Sequence, residues 1–223
     1  MPATKITEEI RLNPMPLSPR QEQIIIGTLL GDGNLFSHPR AKDWRFRTVS
    51  RFQDREYLRW KWRELRSTGL FPNSPPIRVQ KKGPCWRLYS LQHSIFTEYR
   101  KLFYPGGKKV ISPKVLELLD DLGLAVWYQD DGSFPSKDGK KGGRLSLSTE
   151  SFLLKEVELV RDWIFNKYGI SFHISCAPSR GSKPVMWLYN RGDVSRFLDI
   201  VGPYIVPCMS RKSWDDKGTK EEL

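Results

Sequence analysis

The chain has 223 residues, 39% of them hydrophobic, which is enough to bury a substantial core as one large domain or two small ones. Lysine and arginine total 37 against 25 aspartate and glutamate residues, and the formal net charge of +12 favours a polyanionic partner, most plainly nucleic acid. No apolar run approaches the roughly 18 residues of a membrane-spanning helix, and the first residues lack the features of a signal peptide. We therefore expect no membrane association and an intracellular location, in a prokaryotic cytoplasm or in an organelle whose genome encodes the protein.

The cysteines and histidines do not form a metal-binding pattern. Cys85, Cys176 and Cys208 lie too far apart for a CxxC site, and their odd number indicates reduced thiols. The histidines lack a ligand spacing such as HxxxH. Carboxylates must then bind any metal.

Taken in chain order, the first predicted element is a helix that begins after Ser18. Ser18, Pro19 and Gln21 supply an N-cap, a proline at the first helical position and a capping-box glutamine. The apolar run that follows ends in Gly-Asp-Gly. We expect Gly33, in a left-handed turn, to end this helix.

A strand, a charged helix and two more strands are predicted next. Residues 44–49 alternate between apolar and polar types, as in a strand with one buried face, and 77–80 and 86–90 do the same. Between them, apolar residues at helical spacing predict the buried stripe of an amphipathic helix. This stripe comprises Leu58, Trp62 and Leu65.

The second part of the chain repeats this order of elements. Asp120 can cap a second apolar helix, which we expect Gly132 to end in the same way, and Asp131 follows Asp32 by 99 positions. Alternating segments and an amphipathic helix follow again, and we expect the apolar stripe of that helix to be buried. The stripe comprises Leu153, Val157, Val160 and Ile164.

The predicted fold is therefore a duplicated α+β unit of order αββαββα, packed around a pseudo-twofold axis. The two apolar helices pack side by side at the centre, and the antiparallel sheets of both halves form one saddle. The predicted divisions are an N-terminal segment (1–17), a first half (18–111), a second half (112–213) and a C-terminal tail (214–223).

Asp32 and Asp131 lie where a carboxylate is locally unfavourable. An acid in the last turn of a helix faces the negative end of the helix dipole, at a cost of up to about 1 kcal/mol, and a bound cation would reverse this effect. If Gly27 and Gly31 let the helix backbones approach, both acids reach the same end of the interface. Such hard oxygen ligands suit Mg²⁺, which takes further ligands from water and phosphate.

The segments that carry these acids, 25–33 and 124–132, resemble the two copies of the LAGLIDADG motif. The second copy resembles the monomeric, two-motif branch of the homing endonuclease family, and the resemblance extends from about Ser18 to Trp214. Val126 replaces the small residue expected in the second motif, so we expect a less symmetric helix crossing.

By this resemblance, Asp32 and Asp131 are the catalytic acids. The candidate metal-binding set comprises these acids and the residues that precede them, namely Asp32, Asp131, Gly31 and Asp130. Of the two adjacent acids in the second motif, Asp131 is the expected carboxylate ligand, and Asp130 is assigned to the helix end. Lys109 and Lys212 are the expected basic residues that assist the attacking water and the charged transition state.

The resemblance implies a monomer that cuts both strands of a long, non-palindromic DNA target in intron homing. Two or three Mg²⁺ ions, or Mn²⁺, would serve the cut, and ions about 3.5–4 Å apart can activate a water and stabilise the leaving oxygen. Nearby centres reach opposite strands across the narrow minor groove, which predicts a staggered cut, and the family implies short 3′ ends.

The polar faces of the predicted strands are expected to read DNA in the major groove, and basic residues at the strand tips to contact phosphate. The candidate DNA-binding residues are Arg45, Arg47, Arg78, Gln80, Lys81, Lys82, Arg87 and Tyr89 in the first half, and Arg144, Ser146, Ser148, His173, Ser175, Arg180 and Lys183 in the second.

Three other functions are compatible with the sequence. The main alternative is an intron maturase of the same fold that binds RNA, with or without cutting DNA. A DNA-binding regulator without catalysis would be expected to replace Asp32 or Asp131, and neither is replaced. A hydrolase acting on another substrate has the weakest support, because the serine-elbow, GxxxxGK and metal-histidine motifs are all missing from the sequence.

Overall fold

We describe the protein from a computed structural model, which covers residues 17–72, 77–80, 84–134, 136–137, 140–141 and 143–213. The predicted C-terminal tail and most of the predicted N-terminal segment lie outside these residues. None of the helices within the described ranges has both the length and the apolar character needed to cross a lipid bilayer.

The first half has the predicted order αββαββα. Its elements are α1 (Pro19–Leu30), β1 (Gly33–Phe36), β2 (Arg45–Arg51), α2 (Arg55–Leu65), β3 (Ile77–Gln80), β4 (Pro84–Tyr89) and α3 (Ser94–Phe103). The four strands form one antiparallel sheet in the order β1-β2-β4-β3. The predicted capping box is present, since the Gln21 backbone N–H donates to Ser18 Oγ at 3.3 Å and the Ser18 N–H to Gln21 Oε1 at 3.0 Å.

The second half repeats this arrangement after a short connecting helix, α4 (Pro113–Glu117). Its elements are α5 (Asp121–Asp131), β5 (Gly132–Ser133), β6 (Ser136–Lys137), β7 (Lys140–Lys141), β8 (Leu145–Ser148), α6 (Leu154–Tyr168), β9 (His173–Ser175), β10 (Val185–Leu188) and α7 (Arg191–Val201). Strands β5-β8-β10-β9 form the second antiparallel sheet, and β6 and β7 form a small hairpin. The predicted duplicated α+β fold is confirmed.

Helices α1 and α5 pack against each other in the centre of the molecule, as predicted. Every residue over 23–30 and 122–129 is buried, so neither helix has a solvent face. A Cβ atom added to Gly27 would overlap the carbonyl oxygen of Gly123 and lie 2.8 Å from Val126 Cβ. The close approach through Gly27 is therefore confirmed, and Gly123, one turn before Val126, supplies the small residue of the second helix.

Gly132 ends α5 as predicted, whereas Gly31 rather than Gly33 follows the last residue of α1, and the predicted left-handed turn is wrong for both Gly33 and Gly132. Gly132 has φ −78° and ψ 159°, and Gly33 is not among the described glycines with positive φ. Close packing requires these glycines instead, because a Cβ at Gly33 would lie 2.5 Å from the Thr28 carbonyl oxygen and one at Gly132 would overlap the ring of Tyr128.

The two amphipathic helices bury most of the predicted stripes. Leu58 and Leu65 are fully buried, and so are their counterparts in the second half, Val157 and Ile164. Leu153 is 61% exposed, which corrects its assignment to the core. It occupies the extended N-cap position of α6, before the helical periodicity begins.

Candidate active site

The structure brings the acids of both motifs to the same end of α1 and α5. Helix α1 ends at Leu30, so Asp32 lies just beyond the helix rather than in its last turn, whereas Asp131 is the last residue of α5. A Cβ at Gly31 would lie 2.6 Å from Asp130 Cβ, and the Asp32 backbone N–H donates to Asp130 Oδ2 at 3.4 Å. Motif residues from both halves therefore share one centre.

Asp32 and Asp131 are hard to ionise. Burial, followed by the charge of Asp130, raises the pKa of Asp32 to about 6 and the pKa of Asp131 to about 7. The positive charges of Lys109 and Lys212 act in the opposite direction on both acids but do not cancel this effect. A divalent cation bound by Asp32 and Asp131 would favour their ionised forms.

The donor set fits an ion that keeps part of its water shell. Within the described residues, no three histidine, cysteine or acidic side chains form a ready-made metal cluster. An ion held by Asp32 and Asp131 would complete its coordination with backbone carbonyls, water or phosphate. Such a mixed shell of oxygen ligands suits Mg²⁺.

Each of the two predicted lysines lies beside one motif and donates hydrogen bonds to its backbone carbonyl oxygens. Lys109 Nζ donates to the carbonyl oxygens of Gly31 at 3.0 Å and Gly33 at 2.8 Å. Lys212 Nζ donates to the carbonyl oxygens of Gln129 and, at 3.3 Å, Asp130. Burial lowers the pKa of both lysines to about 8, which makes them unusually ready to release a proton.

Side chains of the second motif hold the segment that carries Lys212, a 3₁₀ helix over Pro207–Lys212. Tyr128 Oη donates to the Lys212 carbonyl oxygen at 2.9 Å. The fully buried Gln129 accepts from the Val206 N–H at 2.9 Å and donates to the Tyr204 carbonyl oxygen at 3.2 Å. The second motif therefore fixes its own lysine in place.

The centre also contains a buried ion pair that was not predicted from the sequence. Lys61 Nζ lies 2.7 Å from Asp130 Oδ1 and 2.9 Å from Oδ2, and both side chains are 1% exposed. Lys61 comes from α2, where it falls on the same face as Leu58 and Leu65. A lysine within an apolar helical stripe is the signal that could have revealed it, because buried lysines require a partner.

The outer face of the first sheet carries several predicted DNA-binding residues. Arg47 donates to Asn34 Oδ1 at 2.9 Å, and its guanidinium lies 4.9 Å from the ring centre of Phe36. Arg45 contacts the same ring at 5.7 Å, and Arg87 hydrogen-bonds Tyr89. Asn34 and Phe36 were not predicted, although β1 pairs in register with β2.

Strand β3 is offset from the predicted pattern. In its backbone register, Arg78 pairs with Trp86 and Gln80 with Pro84, whereas Ile77 pairs with Arg87. This is a backbone register, and the roles of Arg78 and Gln80 in DNA binding stay predictions. Lys81 and Lys82 lie outside the described residues.

The outer face of the second sheet is organised around Trp187, which was not predicted. Trp187 stacks on Tyr189 with ring centres 6.0 Å apart, and the guanidinium groups of Arg144 and Arg180 lie 5.8 and 5.6 Å from its ring centre. It pairs across the sheet with Ser146 and His173. The alternation of Val185, Trp187 and Tyr189 was the available signal.

The remaining predicted residues of this sheet differ in exposure. His173, Arg144, Arg180 and Lys183 are exposed, and Ser148 and Ser175 are half-buried. Ser146 is 6% exposed beside Trp187, which makes it a poorer candidate for base contact.

The fold is duplicated, and the acids of its two motifs meet at one helix crossing. Basic residues lie on its two antiparallel sheets. This arrangement is suited to phosphodiester chemistry. The sequence profile of the LAGLIDADG DNA endonuclease family matches residues 22–196, and the chain belongs to this family. The family resemblance of the two motifs is confirmed.

Three relatives illustrate the family. Protein RecA of Mycobacterium shimoidei is 30% identical over 208 residues, covering 89% of this chain and 47% of the relative, so the chain spans about half the length of the RecA relatives it matches. The probable intron-encoded endonuclease 1 of Wickerhamomyces canadensis is 28% identical over 220 residues, covering 95% of this chain and 91% of the relative. The cytochrome b mRNA maturase bI2 of Debaryomyces hansenii is 28% identical over 204 residues, covering 88% and 74%.

Solved structures share the fold. The homing endonuclease I-WcaI, bound to its DNA recognition sequence, matches with a TM-score of 0.83 and 25% identity, covering 95% of this chain and 93% of that one. I-DmoI in complex with DNA and Mn matches with a TM-score of 0.54 and 14% identity, covering 82% and 96%. The latter likeness concerns the fold alone, and I-DmoI has also been solved with DNA and Ca.

Proposed function

We propose that this protein is a site-specific DNA endonuclease that makes a staggered double-strand cut in a long, non-palindromic target. One observation carries the proposal, namely the convergence of Asp32 and Asp131 at the shared end of α1 and α5. The similarity to the Wickerhamomyces canadensis endonuclease, a relative of comparable length, supports it.

Asp32 and Asp131 would hold Mg²⁺ or Mn²⁺, and the neighbouring Gly31 and Asp130 are candidates for backbone ligands. The bound ions would activate a water and stabilise the leaving oxygen of the phosphodiester. I-DmoI, which has this fold, was solved with DNA and Mn and with DNA and Ca, in line with a divalent ion.

Lys109 and Lys212 would transfer protons and stabilise negative charge beside the scissile phosphates. Each ammonium is held by backbone carbonyls next to its motif, and each has a pKa of about 8. A group with a pKa near the working pH can both accept a proton and stabilise negative charge. We assign one lysine to the cut of each strand, because one lies in the first half (18–111) and the other in the second half (112–213). The enzyme would act as a monomer, since one chain supplies both halves.

The outer faces of the two sheets would bind the target. Arg45, Arg47 and Arg87 suit guanine edges in the major groove, since a guanidinium can donate twice to one base. The second sheet offers aromatic and small polar groups, with two guanidinium groups held against Trp187. Because the faces differ in chemistry, the two half-sites would differ in sequence.

A maturase is the second candidate, favoured by the similarity to the Debaryomyces hansenii protein. The basic sheets would then bind intron RNA, with or without DNA cleavage.

The deciding experiment is selection of cleaved sequences from a randomised DNA duplex library with Mg²⁺, with a matched reaction in EDTA. We expect one family of long, asymmetric sequences, cut on both strands with a fixed stagger, in the Mg²⁺ reaction alone. Failure to enrich any sequence, combined with tight binding to intron RNA, would favour the maturase.

A further inference from the structure

The buried ion pair between Lys61 and Asp130 joins the two halves at the catalytic centre. Lys61 belongs to α2 of the first half, and Asp130 precedes the acid of the second motif. Both oxygens of Asp130 accept from Lys61 Nζ, and Oδ2 also accepts from the backbone N–H of Asp32. The side chain of Asp130 is thus fully engaged by the protein itself.

The surroundings of Lys61 hold its ammonium in one place. Nζ lies 4.5 Å from the centre of the Tyr57 ring, in a cation–π geometry. Tyr57 is buried, and its hydroxyl donates to the Val126 carbonyl oxygen on α5 at 3.3 Å. The lysine therefore lies in a buried pocket that contacts the second motif.

The pair has no counterpart in the other half. At the motif spacing of 99 positions, Lys61 corresponds to Val160 and Asp130 to Gly31. Val160 is fully buried in α6, so an apolar residue fills the equivalent position of the same fold. Because apolar replacements of buried ion pairs are often neutral or stabilising, packing alone does not account for this charged pair.

We propose that Lys61 is a positioning residue of the catalytic centre, an internal cation that neutralises Asp130 and reserves the divalent ion for Asp32 and Asp131. This inference rests on the proposed function, because it concerns the ion that the endonuclease would use. Without Lys61, a third carboxylate would face the centre. With it, Asp130 instead anchors the backbone of Asp32.

The charges of Lys61 and Asp130 balance each other at the centre. Asp130→Asn would leave the Lys61 ammonium uncompensated near the metal-binding acids, so cation affinity would fall although the Asp130 side chain is not a ligand. Replacing both residues, as Lys61→Met with Asp130→Asn, would remove the excess charge and restore the affinity. If Asp130 were a metal ligand through its side chain, the second change would restore nothing.

The test is titration of the DNA-free protein with Ca²⁺ by calorimetry, together with thermal unfolding in EDTA. We expect Asp130→Asn to weaken Ca²⁺ binding about tenfold and to lower the Tm in EDTA, and the double variant to return both to near wild-type values. The matched control is the exposed pair of Lys101 and Glu98, where Glu98→Gln alone or with Lys101→Met should change neither quantity.

Unchanged Ca²⁺ affinity in Asp130→Asn, or a loss that the double variant keeps, would overturn the proposal. Should Asp130→Asn not fold, the double variant decides alone, since a tenfold loss of affinity there would make the Asp130 side chain a ligand. Failure of the wild-type protein to bind Ca²⁺ would instead contradict the metal centre of the proposed function, and the role of Lys61 with it.

Discussion

Gly27 lies so close to Gly123 that a side chain at Gly27 would overlap the Gly123 carbonyl oxygen. Gly27→Ala should therefore push α1 and α5 apart and lower the free energy of unfolding by roughly 1–3 kcal/mol, the usual cost of overpacking a core. Chemical denaturation measures this change. Gly106→Ala is the matched control, because nothing lies within 4 Å of a Cβ at Gly106. Equal stability of both variants would contradict the tight crossing.

The order of elements and the central helix pair could be predicted because both depend on local signals. The capping box of Ser18 and Gln21, and the two apolar runs that end in acid and glycine, are properties of neighbouring residues. The duplicated fold could be predicted from the repetition of these signals in the second half of the chain. Helix ends were harder to predict, since contact with Thr28 and Tyr128, rather than backbone conformation, requires Gly33 and Gly132.

The parts of the site that could not be predicted depend on contacts between distant segments. The pairing of Lys61 with Asp130 requires α2 to reach the second motif across 69 positions. The register of β3 places Arg78 opposite Trp86, and alternation along one strand does not determine that register. The position of Trp187 on the outer face similarly depends on how β10 pairs with β8, which is distant in the sequence.

Asp32→Asn and Asp131→Asn should each reduce double-strand cleavage by at least roughly a hundredfold, because a metal contributes several kcal/mol to transition-state stabilisation. DNA binding should survive, since the proposed DNA-binding residues lie on the sheets and not at the metal centre. Cleavage of a selected target with Mg²⁺, beside a gel-shift measurement in EDTA, separates the two effects. Undiminished cleavage by either variant would reject the assignment of the acids.

The stability of the metal-free protein should fall as pH rises through the acidic range. The ordinary aspartate pKa is 3.8, whereas the folded protein has a pKa of about 6 for Asp32 and about 7 for Asp131. Between these values the native state binds more protons than the unfolded state, so the free energy of unfolding decreases with increasing pH. We expect a lower Tm in EDTA at pH 7.5 than at pH 5, and we expect Asp32 and Asp131 to contribute to this difference.

Asp131→Asn should flatten this pH dependence and raise the Tm at pH 7.5, since it removes one of the unfavourable charges. Asp162→Asn is the control, because Arg161 lowers the pKa of that exposed carboxyl and its contribution has the opposite sign. A lower Tm for both Asp32→Asn and Asp131→Asn in metal-free buffer would count against the proximity of the two acids.

Lys109→Met should slow cleavage of one strand by roughly 10²–10⁴-fold, the range typical of a lost proton-transfer group, and nicked product should accumulate. The adjacent Lys108 is exposed and provides a matched control, for which we expect a modest change in salt-dependent affinity. Separate labels on the two strands measure both rates. Equal slowing of both strands would contradict the assignment of one lysine to each cut.

Trp187→Ala tests the DNA-binding role of the second sheet. The indole stacks on Tyr189 and lies under the guanidinium groups of Arg144 and Arg180, so its loss should free both cations from their positions. We expect roughly tenfold weaker binding to the selected target, because both guanidinium groups lose the ring that orients them, and little change in Tm because Trp187 is only half-buried. Phe165→Ala, at a side chain 54% exposed on α6, should leave affinity unchanged. If Trp187→Ala binds as tightly as the wild type, DNA is not bound through this face of the second sheet.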